Sequence, residues 1–320
     1  MRDVPRGDKG TRMMKFDSGE AVRPSSWSGR VMIAFAMLMT GGLVTPAVAQ
    51  DATEDENGQG ETASDFAGGI HLAAVFAELS YSKFDEHSDI PNPDKSKTGG
   101  FKFGGVVATG SNDTFVVPYL TFAKTDGEGS NEFASIETDS SLAGAGIGVT
   151  HFVTPYFRVM GGGEFATGDQ DVVFNGADTS KTDIDIYSAY GGVDFDLFAY
   201  DDFLFGASDQ IGLSHMSANF QPGNSVGQGY SRAWSNGFSL NGTWFATEDT
   251  TLGAHLTYVR LFGLETLPGE EPLDRDYGQI SISAQHSLTD SVSVYGNIDH
   301  VVFNDLYDST KTVVGLMTFF

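Results

Sequence analysis

Hydrophobic and polar residues alternate along most of this chain with a period of two, which is the period of a β-strand half-exposed to an apolar phase. In the run after Asp290, Val292 and Ile298 share one face while Ser293 and Asn297 share the other. Turn-rich segments separate runs of about ten residues or more. Twelve strands are predicted, at residues 70–84, 99–110, 114–125, 133–152, 156–167, 183–198, 203–217, 233–246, 250–262, 277–288, 291–303 and 310–320.

Short and long connections between these runs alternate strictly. The short ones include Val153-Thr154-Pro155 and Thr247-Glu248-Asp249. The long ones lie near residues 85–98, 126–132, 168–182, 218–232, 263–276 and 304–309. A membrane-spanning barrel has turns at one rim and loops at the other, with apolar residues outside and polar residues inside. The pattern therefore predicts an all-β fold, a transmembrane antiparallel up-and-down β-barrel of about twelve strands.

The N-terminal region has the pattern of an export signal. Fourteen apolar or small residues, Val31 to Val44, follow Arg23 and Arg30 and precede the small-residue pattern Ala47-Val48-Ala49. This run is too short for a transmembrane helix and predicts a signal peptide at 1–49 with an extended n-region, cleaved after Ala49. Residues 50–69 predict an acidic disordered leader, and 70–320 the barrel. Residues 65–79 also fit a short helix inside the barrel.

The last predicted strand ends on Phe320, with Val314 and Leu316 on the same face. This ending resembles that of Gram-negative outer-membrane β-barrels, whose final strand is read by the barrel assembly machinery. The resemblance implies location in the cell outer membrane, with lipid and lipopolysaccharide as surroundings. It also implies that Val314, Leu316 and Phe320 form the assembly signal.

Composition narrows the chemistry. Cysteine is absent, and 43 acidic residues against 18 basic ones give a net charge of −25, which argues against nucleic acid as a partner. Acidic segments at residues 87–94 and 168–171 offer oxygen atoms to a cation but lack the spacing of a calcium loop, so solvated loops are the expectation. No cofactor and no metal site is predicted.

Charged residues on the predicted inner faces are candidates for lining a pore. A passive, porin-like channel for small hydrophilic solutes or ions is expected, with the acidic excess favouring cations. Alternatively, these groups pair across strands and fill a narrow lumen. The candidates are Lys102, Arg158, Glu164, Asp183, Asp185, Asp194, Asp196, His255 and Asp299.

Two other barrel classes remain open. The chain is similar in size and strand count to the translocator domain of autotransporters, whose pore holds a helix. Gly144, Gly146 and Gly148 would leave a bare inner face with room for such a segment. A structural barrel with a plugged lumen is the related alternative.

The second of these other classes is an outer-membrane lipid hydrolase. Ser235-Asn236-Gly237 is similar to the His-x-Ser-Asn-Gly motif of outer-membrane phospholipases, but Ala233 stands where that motif has its histidine. Without a local base the serine is not activated, so no enzymatic activity is predicted.

Two features do not fit the alternation. Ile184 and Ile186 are out of phase with Val193, which suggests a bulge or a wrong strand boundary. Asp209 falls on an apolar face of its strand without an explanation from the sequence.

Overall fold

Twelve antiparallel strands close into one barrel. The computed structural model describes residues 70–87, 94–109, 113–130, 135–174, 178–221, 227–265, 276–304 and 307–320. Each strand pairs with its neighbours in sequence, and β1 pairs with β12, so the predicted fold class is confirmed. The strands are β1 His71–Glu86, β2 Asp94–Ala108, β3 Thr114–Ser130, β4 Ser135–Thr154, β5 Phe157–Phe174, β6 Asp178–Tyr200, β7 Phe203–Gln221, β8 Gly227–Thr247, β9 Thr250–Glu265, β10 Asp276–Thr289, β11 Val292–Val302 and β12 Tyr307–Phe319.

The stagger of the strands sets the width of the barrel. Following paired residues once around the sheet leads from Asp196 on β6 back to Thr182 on the same strand, a shift of 14 residues. With usual strand spacings, twelve strands and this shift give a tilt of about 40° and a backbone radius of roughly 12 Å. The interior is therefore wide enough to hold long side chains from opposite walls.

The outer face carries a continuous apolar band. Leu79 is 65 % exposed and Ile282 is 61 % exposed, and Leu120 and Leu316 are also exposed. Near the rim with the two-residue turns, here called the turn end, the rings of Phe203 and Trp244 stack with centroids 5.8 Å apart. Such an apolar belt with aromatic borders is the surface that a membrane-spanning barrel presents to lipid.

The strands continue well beyond this band at the opposite rim, the loop end. Most of the long loops predicted at this rim are wrong in their length, because strands occupy part of them. β3 runs to Ser130, β6 begins at Asp178 and β7 runs to Gln221. Outer charges there form pairs such as Lys124 with Asp139, 2.9 Å apart. Backbone pairing does not require apolar side chains, so a polar stretch that resembles a loop in sequence can extend a strand into water.

Glycines of the inner wall receive the aromatic rings of neighbouring strands. A Cβ atom on Gly104 would lie 2.6 Å from the ring of Phe76, and one on Gly162 would lie 2.8 Å from the Tyr190 hydroxyl. Gly146 likewise lies under the ring of Tyr119. At Gly146 the predicted bare glycine face, with room for another segment, is therefore wrong, because the ring of Tyr119 occupies that space.

Apolar residues also occupy part of the inner wall, which the simple alternation did not predict. Toward the loop end, Ile184 and Ile186 pack with Leu142, Ala166, Met216 and Ala218. Pairing of β6 with β5 is continuous from Asp178 to Phe195, so no bulge lies there. The two isoleucines are out of phase with Val193 because they face inward, and the expected bulge is wrong.

Two further apolar clusters lie on other parts of the inner wall. One, nearer the loop end, contains Phe84, Val259, Leu261, Tyr277, Val301 and Tyr307. The other, nearer the turn end, contains Ala74, Phe76, Val106, Tyr119 and Met317. The inner wall is thus a mixture of apolar sections and polar ones.

The predicted signal peptide and leader lie outside the described residues. From His71 onward the chain is strand, so the alternative of a helix is excluded for residues 71–79. In the part of the chain that the structure describes, no helix is long and apolar enough to cross a membrane.

Candidate functional site

The structure places seven of the nine predicted lumen residues on the inner wall. They are Lys102, Arg158, Glu164, Asp194, Asp196, His255 and Asp299. Asp183 and Asp185 were assigned wrongly and lie on the outer face of β6. Side chains alternate along an unbroken strand, and the buried Ile184 and Ile186 take the inner positions between them.

Two tyrosines cross the inner wall in the same way. Tyr119 on β3 lies over Gly146 on β4 and donates a 2.9 Å hydrogen bond to Glu164 Oε2 on β5. Tyr295 on β11 lies over Gly315 on β12 and donates a 2.8 Å hydrogen bond to Glu78 Oε1 on β1. Each of these tyrosine bridges spans three strands, because the intervening glycine offers no side chain to block the ring.

Lysines lie beside both bridged glutamates. Lys102 Nζ is 3.9 Å from Glu78 Oε2 and 4.6 Å from the centre of the Tyr119 ring. Lys311 interacts electrostatically with Glu78, Glu164 and Asp299. Because Glu164 on β5 and Lys311 on β12 belong to distant strands, charges from different walls influence one another across the lumen.

A second charged group lies nearer the turn end. Arg158 donates from Nε to Asp194 Oδ2 at 3.1 Å and from Nη2 to Asp196 Oδ1 at 2.9 Å. Asp194 is 8 % exposed, and its Oδ1 accepts no hydrogen bond from a described residue. His255 on β9 interacts electrostatically with both Asp194 and Asp299, which links this group to the lysines.

We call these inward groups the charged belt: Glu78, Lys102, Arg158, Glu164, Asp194, Asp196, His255, Asp299 and Lys311. Five carboxyl groups face three basic groups and one imidazole, an excess of two acidic groups. The belt therefore carries an excess of negative charge on the inner wall.

The sequence did not predict the part that four residues play in this site. They are Glu78, Tyr119, Tyr295 and Lys311. Lys311 could have been assigned, since Leu316 and Val314 face outward and fix the opposite parity for Lys311. Glu78 follows a bulge between Leu72 and Ala74, which shifts the parity of β1 without a sequence signal. The bridges need strand register, which alternation alone does not give.

The serine of the phospholipase-like tripeptide has no imidazole beside it in the register. Ser235 faces inward between Gly212 on β7 and Leu261 on β9. Asn236 faces outward and donates to Asp209 Oδ1 at 2.6 Å. Among the described residues, no group of three His, Asp or Glu side chains could hold a metal ion.

The comparisons with known proteins concern the fold. No protein-family model and no curated protein matches the sequence. The structure is similar to the translocator domain of the autotransporter NalP from Neisseria meningitidis, with a TM-score of 0.69, 12% identity, and coverage of 91% of this chain and 98% of that chain.

Two further similarities support the same fold. The transport unit of the autotransporter AIDA-I from Escherichia coli matches with a TM-score of 0.60 and 12% identity over 90% of this chain and 97% of that chain. An outer membrane channel from Pseudomonas putida F1 matches with a TM-score of 0.50 and 10% identity over 81% and 100%. The chain therefore shares its barrel fold with translocator domains and an outer membrane channel of bacteria.

Proposed function

We propose that this protein is a channel of the bacterial outer membrane through which small hydrophilic solutes and ions diffuse passively, with a preference for cations. The turn end faces the periplasm and the loop end faces the outside. The charged belt carries this proposal, because its two excess carboxyl groups attract cations into a barrel whose outer face is apolar.

The position of the charges along the barrel supports the proposal. The glutamates, the lysines and Asp299 of the belt lie at mid-height, below the two apolar clusters near the loop end, and the Arg158 group lies nearer the turn end. A solute leaves water on one side, meets carboxyl and hydroxyl oxygens at mid-height and returns to water on the other. Outer-membrane lipid and lipopolysaccharide surround the barrel, and the barrel assembly machinery inserts it by reading Val314, Leu316 and Phe320.

A translocator-like or structural barrel with a filled lumen is the second candidate. Two observations favour it: the similarity to the NalP translocator domain and the burial of apolar inner residues such as Ile184 and Tyr307. A porin lumen filled with water would expose such residues.

Conductance of the purified, folded protein in planar bilayers separates the two candidates. We expect stepwise currents carried by potassium. Under a salt gradient, the reversal potential should have the sign of a cation-selective channel. Folding is checked independently by heat-modifiable migration on a gel. A folded barrel that gives no current, or one that prefers anions, contradicts the proposal.

The belt is tested with a matched pair of variants on β6. Asp194→Asn removes an inner carboxyl group, and we expect cation preference to fall. Asp183→Asn removes one from the outer face of the same strand, and we expect no change. Equal effects of the two variants would mean that the belt does not set selectivity.

A further inference from the structure

The pairing of β2 with β3 is interrupted within the apolar band. Residues 105–106 of β2 and 117–118 of β3 face each other without forming pairs, and we call this stretch the pairing gap. The pairs that bound it are Gly104 with Tyr119 and Val107 with Val116. Both have the same register, so no bulge causes the gap. Among the described strands, the other irregularities in pairing lie toward the rims of the barrel.

Pro118 explains the interruption. By register it lies opposite Gly105, and a proline has no N–H to donate to the Gly105 carbonyl oxygen. The Pro118 carbonyl oxygen points to β2, because a Cβ atom on Gly104 would lie 2.6 Å from it. The N–H and C=O groups of a strand residue point to the same side, so the missing N–H also belongs to this seam. The Gly105 carbonyl oxygen therefore lacks its donor from β3.

This defect lies near the middle of the band. On β3, Pro118 is four residues above the first residue, Thr114, and six residues below Lys124, the first outward charged residue. At the strand tilt of this barrel, four and six residues rise about 10 and 15 Å. In lipid an unpaired carbonyl group is costly, and proline is normally kept out of the middle of a sheet. A costly backbone feature of this kind is a sign of function.

β2 is irregular at the same place on its other edge. On the β1 side the register shifts between Leu72 and Ala74, so Ala73 is bulged opposite residues 106–107. The Ala73 carbonyl oxygen accepts a 3.0 Å hydrogen bond from the backbone nitrogen of Phe320. A bulge disrupts the ladder locally. The segment of β2 beside the pairing gap is thus irregularly bonded on both edges and can shift at less cost than a regularly paired strand.

Both faces of the wall at the pairing gap are apolar. Toward the lumen, Val106 belongs to the apolar cluster near the turn end, and Val117 packs against that cluster. Toward lipid, Phe103 and Leu120 are each 50 % exposed. The pairs that bound the gap are three residues apart along each strand, about 10 Å. This length suits a single aromatic ring or an alkyl chain.

From these features we infer that the wall opens at the pairing gap and lets small, uncharged apolar molecules pass between the lumen and the hydrocarbon of the membrane. The gap opens in preference to other seams because one of its hydrogen bonds is already absent. Its apolar lining admits an apolar molecule and disfavours a hydrated ion. This passage leads sideways through the wall, so it does not depend on the cation current proposed for the charged belt.

The first test is a disulfide lock across the pairing gap. Val106→Cys with Val117→Cys joins two residues that are directly opposite by register, and the chain has no other cysteine. Ser283→Cys with Asn297→Cys is the matched control, an inward pair on β10 and β11 where the ladder is unbroken. The full chain is produced in the outer membrane of a Gram-negative host. The probe is N-phenyl-1-naphthylamine, an uncharged compound that fluoresces in hydrocarbon.

We expect the wild-type protein to speed uptake of this probe severalfold over the host without it. Oxidation of the lock should remove that gain and dithiothreitol should restore it, while the oxidised control pair should keep it. No gain from the wild-type protein, or an undiminished gain with the lock oxidised, overturns the inference.

A second test needs no disulfide. Pro118→Val supplies the missing N–H and suits a lipid-facing strand position, so the gain in uptake should fall severalfold. Leu120→Val is the control, two residues along the same outer face, and it changes no backbone donor. Heat-modifiable migration confirms that each variant is folded. Uptake by folded Pro118→Val that equals the wild-type rate also overturns the inference.

Discussion

The tyrosine bridge at Gly146 allows a strict test of how the inner wall is held together. Replacing Gly146 with alanine places a Cβ atom where the Tyr119 ring lies. Because the glycine backbone is fixed between β3 and β5, the ring has to move, and its hydroxyl leaves Glu164 Oε2. The other oxygen of Glu164 is buried and accepts no hydrogen bond from a described residue, so the carboxyl group loses its one described hydrogen bond.

The expected loss is about 2–5 kcal/mol in the free energy of unfolding. Overpacking a filled site costs roughly 1–3 kcal/mol, and a lost hydrogen bond to a charged group costs roughly 1.5–3 kcal/mol. The better strand propensity of alanine returns up to about 1 kcal/mol. Gly191→Ala is the control: its Cβ would make only an ordinary contact, 3.9 Å from the Met160 carbonyl oxygen, so the variant should be unchanged or more stable by up to about 1 kcal/mol.

Unfolding by urea in detergent, followed by fluorescence of Trp234 and Trp244, measures both variants. A third variant, Tyr119→Ala with Gly146→Ala, removes the clash, and in that background the alanine at 146 should cost almost nothing. If Gly146→Ala proves as stable as Gly191→Ala, the ring does not rest on Gly146 and the bridge is refuted.

Three further predictions use the same preparations. Ile184→Asp should destabilise the barrel by about 3 kcal/mol, because it puts a carboxyl group into an apolar inner cluster. Asp183→Asn should change the unfolding free energy by less than about 0.5 kcal/mol. If Asp183→Asn were the more destabilising of the two variants, Ile184 would have to lie on the outer face. Arg158→Gln should cost about 2–3 kcal/mol and shift the reversal potential toward stronger cation preference, because the carboxyl group of Asp194 loses its basic partner; an unchanged reversal potential would show that this pair lies away from the ion path. The wild-type protein should release no fatty acid from phospholipid vesicles; release that disappears in Ser235→Ala would establish a hydrolase.

The barrel could be predicted from the sequence because its outer face obeys one simple rule. Lipid contacts every strand at the same depth, so residues such as Ile282 and Leu316 repeat at alternate positions and fix the faces of β10 and β12. The inner face obeys no single rule. It includes apolar clusters, charged pairs and glycines. An inward isoleucine such as Ile184 therefore breaks the alternation that the outer face predicts, and in the sequence it resembles a bulge or a wrong strand boundary.

The arrangement of the site depends on register, which alternation leaves undetermined. Tyr119, Gly146 and Glu164 are far apart in sequence and become one unit because of how β3, β4 and β5 are aligned. The strand extensions beyond the band were missed for a different reason. Water replaces lipid there, so the outward side chains are mostly polar and the apolar alternation that marks a membrane-spanning strand is lost.

The second tyrosine bridge lies across the join between the two ends of the barrel. Tyr295 on β11 reaches over β12 to Glu78 on β1, across a separation of 217 residues. Backbone hydrogen bonds at this join connect β1 to β12 alone. The Tyr295 side chain reaches past β12 and connects β1 to β11. The bond can form only when the sheet has become a ring, so it acts as a clasp. A barrel that parts between β1 and β12, to admit lipid or to release a segment sideways, has to open this clasp first.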